Sequence, residues 1–89
     1  MIVQQAGSYK NVTASGTISV AQAGVMLGFY VNSTSSGTVV FREGSPTGTA
    51  MGGTITPAIG WHAFPAAYTS GLYATVAPTL DLTIFFTPG

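Results

Sequence analysis

Cysteine is absent from this chain of 89 residues, and charged side chains nearly so. The absence of cysteine excludes disulfide bonds, thiolate zinc sites and thiol catalysis. Charged residues make up 4% of the sequence, against about 25% in a typical soluble domain. Two basic residues cannot form the positive surface that nucleic acid requires, so we expect no nucleic-acid partner. Two acidic residues are too few for a calcium cage.

Long apolar runs are missing as well. The longest, residues 25–31, is far shorter than the roughly 18 residues that a membrane span needs, so we expect no membrane segment. The first residues have neither the basic start nor the apolar core of a secretion signal. A domain this small, without disulfides or metals, is usually stabilised by oligomerisation or by docking on a larger body. The composition therefore predicts one domain that functions in an assembly.

Short β-type runs alternate with Gly, Ser, Pro and Asn, which predicts an all-β chain. We expect an antiparallel β-sandwich of about seven or eight short strands, with a jelly roll as the favoured topology. Residues 1–9 are expected to form an N-terminal arm or a loose first strand, and residues 10–89 the single sandwich domain. The predicted strands are residues 11–14, 17–21, 24–32, 38–42, 49–56 (a weak edge strand), 61–67, 72–76 and 80–86. Pro65 should place its strand at a sheet edge or interrupt it.

Alternation of side chains predicts which faces are buried. In the last strand the expected core residues are Leu80, Leu82, Ile84 and Phe86, with Asp81, Thr83 and Phe85 opposite. In residues 24–32 the expected core residues are Val25, Leu27, Phe29 and Val31, with Met26, Gly28 and Tyr30 opposite. Residues 24–32 and 38–42 flank a turn and should form a hairpin.

The faces opposite the inferred core are not polar, although a sheet that faces water usually shows polar residues there. Aromatic and methionine side chains on an uncharged surface are typical of interface cores. We therefore predict an interface with other subunits or a larger partner; a shifted alternation, which would bury some of these residues, is the alternative. The predicted interface residues, with two apolar anchors from the arm, are Ile2, Val3, Met26, Tyr30, Val40, Trp61, His62, Phe64, Tyr73 and Phe85.

His62 is the one residue of a type that could serve as a base near neutral pH. Asp81 or Glu43 could orient it, but no serine stands in a Gly-x-Ser-x-Gly elbow. We expect no catalytic residue, no metal and no cofactor, with His62 as a polar residue at a sheet rim or interface. Copies of His62 meeting on a symmetry axis are the one remaining metal option. Asp81 should be solvated or paired with Arg42, because a lone buried carboxylate is costly.

Four aromatic residues, Trp61, Phe64, Tyr68 and Tyr73, could form a stacking platform for a sugar or a base. Such a platform needs acids, amides or cations beside it to orient a ligand. The sequence places none of these close to the four aromatics along the chain, which favours core or interface positions for them.

Several runs of this sequence, taken in order, resemble small virion proteins of tailed phages. Residues 24–32 (GVMLGFYVN) and 37–42 (GTVVFR), followed by a Gly/Ser/Pro loop, match the glycine-led apolar strand and the Thr-Val-x-Phe strand of that group. Residues 71–76 (GLYATV) and 80–86 (LDLTIFF) match its Gly-Leu strand and its alternating last strand. The resemblance extends over residues 11–86; the strand from Trp61 to Phe64 is richer in aromatics than the pattern.

The resemblance implies a non-enzymatic structural protein on the surface of a virion. Within that group it points most closely to a capsid decoration (cement) protein, which stabilises the assembled phage head by binding only the assembled shell. The implied partners are the major capsid protein and further copies of the chain, with a trimer favoured. The alternative is a phage tail or fibre module that recognises a host surface glycan with Trp61, His62, Phe64 and Tyr68.

Overall fold

The fold is described by a computed structural model that covers residues 8–19 and 23–88. The predicted anchors Ile2 and Val3 lie outside these residues. Within them the chain forms seven strands: β1 (Ser8–Val12), β2 (Gly16–Ser19), β3 (Gly24–Thr34), β4 (Thr38–Glu43), β5 (Gly60–Tyr68), β6 (Leu72–Ala77) and β7 (Leu80–Pro88). β1 includes Ser8 and Tyr9, which the sequence predicts in the arm or loose first strand. The part of the chain so covered has no helix that could cross a membrane.

The strands form two antiparallel sheets, which confirms the predicted all-β sandwich architecture. Sheet A has the order β1-β7-β3-β5, and sheet B has the order β2-β6-β4. Phe29 of sheet A and Phe41 of sheet B meet between the sheets, with ring centroids 5.2 Å apart. The core between the sheets is closed mainly by aliphatic side chains from β3, β4, β6 and β7.

Strand pairing is nested along the chain. β1 pairs with β7 in sheet A, β2 with β6 in sheet B, and β3 with β5 in sheet A. Residues 49–56, predicted as a weak edge strand, do not form one; they touch β4 through two isolated bridges, Val39 with Ile55 and Arg42 with Ala50. This segment lies where an eighth strand would continue the nesting. The jelly-roll topology stays a prediction, because sheet B has three regular strands.

The predicted hairpin between β3 and β4 is wrong. β3 pairs with β5 and β7 in sheet A, whereas β4 pairs with β6 in sheet B. The chain crosses between the sheets at the turn after β3, where the Ser35 amide donates to the Thr79 carbonyl at 3.0 Å. Two adjacent strands with a short turn satisfy the sequence pattern of a hairpin, but pairing with later strands decides the arrangement.

The face assignment is confirmed for β7 and half wrong for β3. Leu80, Leu82, Ile84 and Phe86 are all buried, as alternation predicts. In β3, Phe29 and Val31 are buried, but Val25 and Leu27 are each 40% exposed and Met26 is fully buried. The cause is a bulge: Met26 and Gly28 lie opposite the consecutive residues Phe86 and Phe85, so Leu27 is an extra residue that shifts the alternation.

Pro65 stands within β5, the strand at one edge of sheet A. An edge strand tolerates proline because one side of it has no neighbouring strand that needs the missing N–H. The register between β3 and β5 shifts between Met26 and Gly28, a span that faces Pro65 on β5. This confirms the edge position expected for Pro65.

Candidate functional site: the outer face of sheet A

The outer face of sheet A, the side away from the core, carries an exposed group of large apolar side chains. We call this surface the aromatic face: it consists of the exposed Tyr9, Leu27, Tyr30 and Trp61, with the half-buried Phe85 packed against Tyr9 and Trp61, and it draws on all four strands of the sheet. Trp61 is 51% exposed and Tyr30 is 44% exposed. Isolated exposed apolar residues are common, but a contiguous patch usually marks a binding surface.

Trp61 lies over Gly28 of the neighbouring strand. A Cβ atom on Gly28 would stand 2.6 Å from the six-membered ring of the Trp61 indole and 2.5 Å from the His62 carbonyl oxygen. Glycine is therefore required at position 28, since any larger residue would displace the indole. Phe85 supports the same ring from β7, with centroids 5.7 Å apart, and Tyr9 contacts Phe85 at 6.5 Å.

Leu27, Tyr30, Trp61 and Phe85 line a shallow, open groove of about 450 Å³. Its lining is almost entirely apolar. Grooves of this size accommodate a small ligand or one or two protruding side chains of a partner.

A polar cluster borders the groove. We use this term for Asn11, Asn32, Asp81 and Thr83. The Asn11 Nδ2 donates to Asp81 Oδ1 at 2.7 Å, and the Asn32 Nδ2 donates to the same oxygen at 3.2 Å. Both amides also donate to Thr83 Oγ1, at 3.3 and 3.2 Å. Two amides far apart in sequence are thus held by one carboxylate and one hydroxyl on the sheet surface.

Strand register places the polar cluster directly beside the aromatic face. Asn11 of β1 pairs with Thr83 of β7, Thr83 pairs with Tyr30 of β3, and Tyr30 pairs with Trp61 of β5. Side chains directly opposite on one face of antiparallel strands have Cβ atoms about 4.5–5.5 Å apart. One row across sheet A therefore changes from amide and hydroxyl at β1 and β7 to aromatic at β3 and β5.

A second bulge explains how Asn32 reaches Asp81. Val31 pairs with Leu82 and Ser33 pairs with Asp81, so Asn32 is an extra residue between them. The extra residue brings the Asn32 amide to the same side as Asp81 and Thr83. Of the two alternatives for Asp81, solvation or a pair with Arg42, the pair is not formed, because Arg42 lies in sheet B and donates to Thr75 Oγ1 and the Gly48 carbonyl.

The predicted interface residues that the structure describes lie in four environments: the aromatic face, the outer face of sheet B, the core, and the half-buried inner side of β5. Tyr30, Trp61 and Phe85 lie on the aromatic face. Val40 and Tyr73 alternate with buried neighbours on β4 and β6, so they lie on the outer face of sheet B. Met26 is in the core as a result of the first bulge, which corrects its prediction as an interface residue. Ile2 and Val3 fall outside the described part of the chain.

His62 and Phe64 are half-buried and face the core side of β5. The His62 ring stacks on Phe29 with centroids 5.0 Å apart, and its Nε2 lies 2.7 Å from the Ala58 carbonyl oxygen. A carbonyl only accepts, so Nε2 carries the hydrogen. Phe64 packs against Phe41 at 5.2 Å. Neither side chain points to the surface that holds Trp61, because the strand alternation turns them inward.

The four aromatic residues that the sequence offers as a stacking platform, Trp61, Phe64, Tyr68 and Tyr73, do not form one surface. Tyr68 is buried in the core, Phe64 packs inward, and Tyr73 belongs to sheet B. Of those four, Trp61 alone stands on the aromatic face. Within residues 8–19 and 23–88, no three His, Cys, Asp or Glu side chains come together as metal ligands.

Sequence reasoning missed Tyr9, Leu27 and the polar cluster. The sequence predicts Tyr9 in an arm or a loose first strand and Leu27 in the core, and nothing near Asp81 in the sequence points to Asn11 or Asn32. Gly28, between two large apolar residues in a strand, is the one local signal, since such a glycine often marks a bulge or a close approach.

No protein-family model matches this sequence, no curated protein is significantly similar to it, and no solved structure matches it significantly. The function is therefore argued from the site.

Proposed function

We propose that this chain is a non-enzymatic structural protein of a tailed-phage particle, a decoration protein that binds the assembled head through the aromatic face. The observation that carries the proposal is the exposed patch of Tyr9, Leu27, Tyr30 and Trp61, joined by the half-buried Phe85, on a domain with only four charged side chains. Apolar surface is stable in contact with a partner and unfavourable in water.

Fold topology supports the proposal. A jelly roll is a common fold of viral capsid domains, and it is an eight-stranded double sheet of antiparallel strands. The nested pairs β1 with β7, β2 with β6 and β3 with β5 alternate between the sheets as that fold requires. The segment bridged to β4 takes the place of the eighth strand. We infer that the chain is a jelly roll with one irregular strand.

The scarcity of charge determines how the attachment should behave. With little charge on the aromatic face, binding depends on apolar contact and shape, and added salt has little to screen. Self-association follows from the same composition, and we expect a homotrimer on the capsid surface, in contact with the major capsid protein.

Co-sedimentation with phage heads assembled without this chain tests the attachment. Saturable binding that changes little between low and high salt is expected. The Trp61→Ala variant should weaken binding at least about tenfold, because central aromatic anchors carry most interface energy. The matched control is Tyr73→Ala, which removes a half-buried aromatic from the outer face of sheet B. Loss of binding in the Tyr73→Ala protein alone would contradict attachment through the aromatic face.

Light scattering of the purified chain, from low to high micromolar concentration, tests the oligomer. A trimer that Trp61→Ala or Tyr30→Ala dissociates is expected if subunits also contact one another through this face. A monomer at every concentration would contradict the trimer and leave the capsid as the sole partner of the aromatic face.

The second candidate function is a glycan-binding module of a tail or fibre. The observation that favours it is the polar cluster beside Tyr30, which supplies the acid and amides that a stacking platform needs. The two candidates differ in one property: a decoration protein buries Trp61 on the particle, whereas a receptor-binding module leaves Trp61 open. Acrylamide quenching separates them on particles that carry the chain with its single tryptophan, Trp61, replaced by the spectrally distinct analogue 7-azatryptophan.

A further inference from the structure

We propose that the aromatic face and the polar cluster together form a binding site for a neutral carbohydrate. This inference develops the second candidate function, and it needs no attachment to a phage head. It replaces the residue set expected from the sequence, of which only Trp61 remains, with Trp61, Tyr30, Asp81, Asn11 and Asn32.

The first element is a stacking platform. Trp61 covers Gly28 with its six-membered ring and still leaves half of its surface to solvent, so the ring is supported by the sheet on one side and open on the other. Tyr30 stands directly opposite on β3 and is also exposed. A sugar ring has an apolar face of C–H groups, which packs on such a surface while its hydroxyls stay at the rim.

The second element is a set of fixed hydrogen-bond acceptors. Asp81 Oδ1 accepts from both asparagine Nδ2 groups, which fixes the orientation of the two amides. Their carbonyl oxygens are thereby directed away from the carboxylate. Asp81 Oδ2 has no donor in the part of the chain that the structure describes. Three oxygens, Asp81 Oδ2 and the two asparagine Oδ1 atoms, can therefore accept hydrogen bonds from the hydroxyl groups of a ligand beside Tyr30.

Charge narrows the ligand to a neutral sugar. The sequence contains four charged side chains, and Asp81 is the one in the polar cluster. Arg42 and Glu43 belong to β4 of sheet B, and the Lys10 Nζ donates to the Thr17 carbonyl at 2.9 Å. Because no cation in the described residues is directed at this carboxylate, an anionic sugar would be repelled there. Neutral hydroxyls, in contrast, are good donors to a carboxylate.

The dimensions of the groove fit one or two sugar rings. Its volume is about 450 Å³, and it is open rather than enclosed. Open grooves lined by an aromatic ring and a few polar atoms hold a ligand weakly and bind polymers or repeated surface sugars by several contacts at once. A glycan chain on a cell surface has this repeated form.

Fluorescence titration is the direct test, because Trp61 is the sole tryptophan and reports on its own site. The probes are the methyl glycosides of glucose, galactose, mannose and N-acetylglucosamine, with sialyllactose as the anionic comparison. A saturable shift with at least one neutral sugar, and a weaker one with sialyllactose, is expected. No shift with any neutral sugar, or a preference for sialyllactose, would overturn the inference.

Substitutions in the stacking platform and in the polar cluster test whether the sugar contacts both. Asp81→Asn keeps the shape, leaves Trp61 in place as the reporter, and should weaken sugar binding by about tenfold, the typical effect of losing a hydrogen bond to a charged group. Trp61→Ala, followed by calorimetry, should abolish binding, and Trp61→Phe should restore part of it. Tyr73→Ala on sheet B is the matched control with unchanged binding. Equal loss in Asp81→Asn and Tyr73→Ala would overturn the assignment.

Failure of this inference is distinguishable from failure of the attachment proposal. Asp81→Asn should reduce sugar binding without reducing co-sedimentation with heads, since apolar contacts carry attachment. Head binding that persists in a protein indifferent to every neutral sugar would leave the decoration function and remove the carbohydrate site.

Discussion

The outer faces of the two sheets differ, although both sheets come from one short, nearly uncharged chain. Sheet A exposes Tyr9, Leu27, Tyr30 and Trp61 around a groove, next to a carboxylate held by two amides. The outer side of sheet B presents Val40, Arg42, Tyr73 and Thr75, all half-buried, and Arg42 bonds to Thr75. These four side chains of sheet B are half-buried, whereas sheet A leaves Tyr9, Tyr30 and Trp61 exposed. This difference is the reason that we propose sheet A as the side that meets a partner.

Regularity of the strands accounts for much of this difference. β4 and β6 pair over six residues without a register shift, so side chains alternate strictly between core and surface. β3 in sheet A has two bulges against β7. Each bulge turns an additional residue outward: Leu27 beside the groove and Asn32 beside Asp81. Bulges of this kind redirect side chains and are frequent at functional sites.

The largest expected effect tests the first bulge, on which the comparison depends. Met26→Ala should lower the free energy of unfolding by about 2–5 kcal/mol, because it opens a cavity in the core. Leu27→Ala, one residue away, should cost less than about 1 kcal/mol, since its side chain is exposed. Urea denaturation of the two variants measures both. The opposite order of stabilities would show that β3 alternates regularly and that the aromatic face is wrongly assigned.

A smaller loss of stability is expected on substitution of Gly28, on which the Trp61 ring packs. Gly28→Ala should destabilise the fold by about 1–3 kcal/mol, the usual cost of overpacking, because its Cβ meets the indole and the His62 carbonyl. Gly53→Ala is the matched control, as a Cβ there meets nothing within 4 Å. Thermal melting gives the stability, and the emission of Trp61 should shift only in Gly28→Ala. Unchanged tryptophan emission in Gly28→Ala would contradict the packing of the Trp61 indole on Gly28.

The smallest effect compares the two carboxylates that organise polar groups. Glu43 Oε1 in sheet B accepts from the backbone amides of Thr69 and Ser70 at 2.9 and 3.0 Å. Glu43→Gln should therefore cost about 0.5–1.5 kcal/mol, because it weakens charge-assisted bonds that fix a turn. Asp81→Asn should change stability by less than about 0.5 kcal/mol, because its partners are exposed side chains. A larger loss in Asp81→Asn would assign the polar cluster a structural role instead of a binding role.

The local sequence pattern was sufficient to predict the buried face of a strand where that strand has no bulge of its own. The alternation in residues 80–86 predicted all four core positions of β7, and Pro65 indicated an edge strand. The pattern failed at β3, since a bulge depends on the register with β5 and β7, which are more than thirty residues away along the chain. The predicted hairpin of β3 and β4 is wrong for the same reason. β3 pairs with β5 and β7, and β4 pairs with β6, all of which come later in the sequence.

The candidate site shows the same division. Trp61, Tyr30 and Phe85 were predicted surface residues, as aromatics on an uncharged chain favour interfaces. Asn11, Asn32 and Asp81 have no shared local pattern and meet only through the pairing of β1, β7 and β3. No reading of neighbours in sequence could join residues separated by 49 and 70 positions.

Composition and periodicity alone thus determined that this is a small all-β domain, almost without charge and with more apolar surface than one core can bury. These properties depend on residue type and on side-chain alternation, which are local. The tertiary structure decided which sheet holds each strand, where the bulges fall, and that an acid and two amides lie beside Tyr30 on the aromatic face. Those outcomes depend on register between distant strands, and a shift of one residue in register moves a side chain from one face of a sheet to the other.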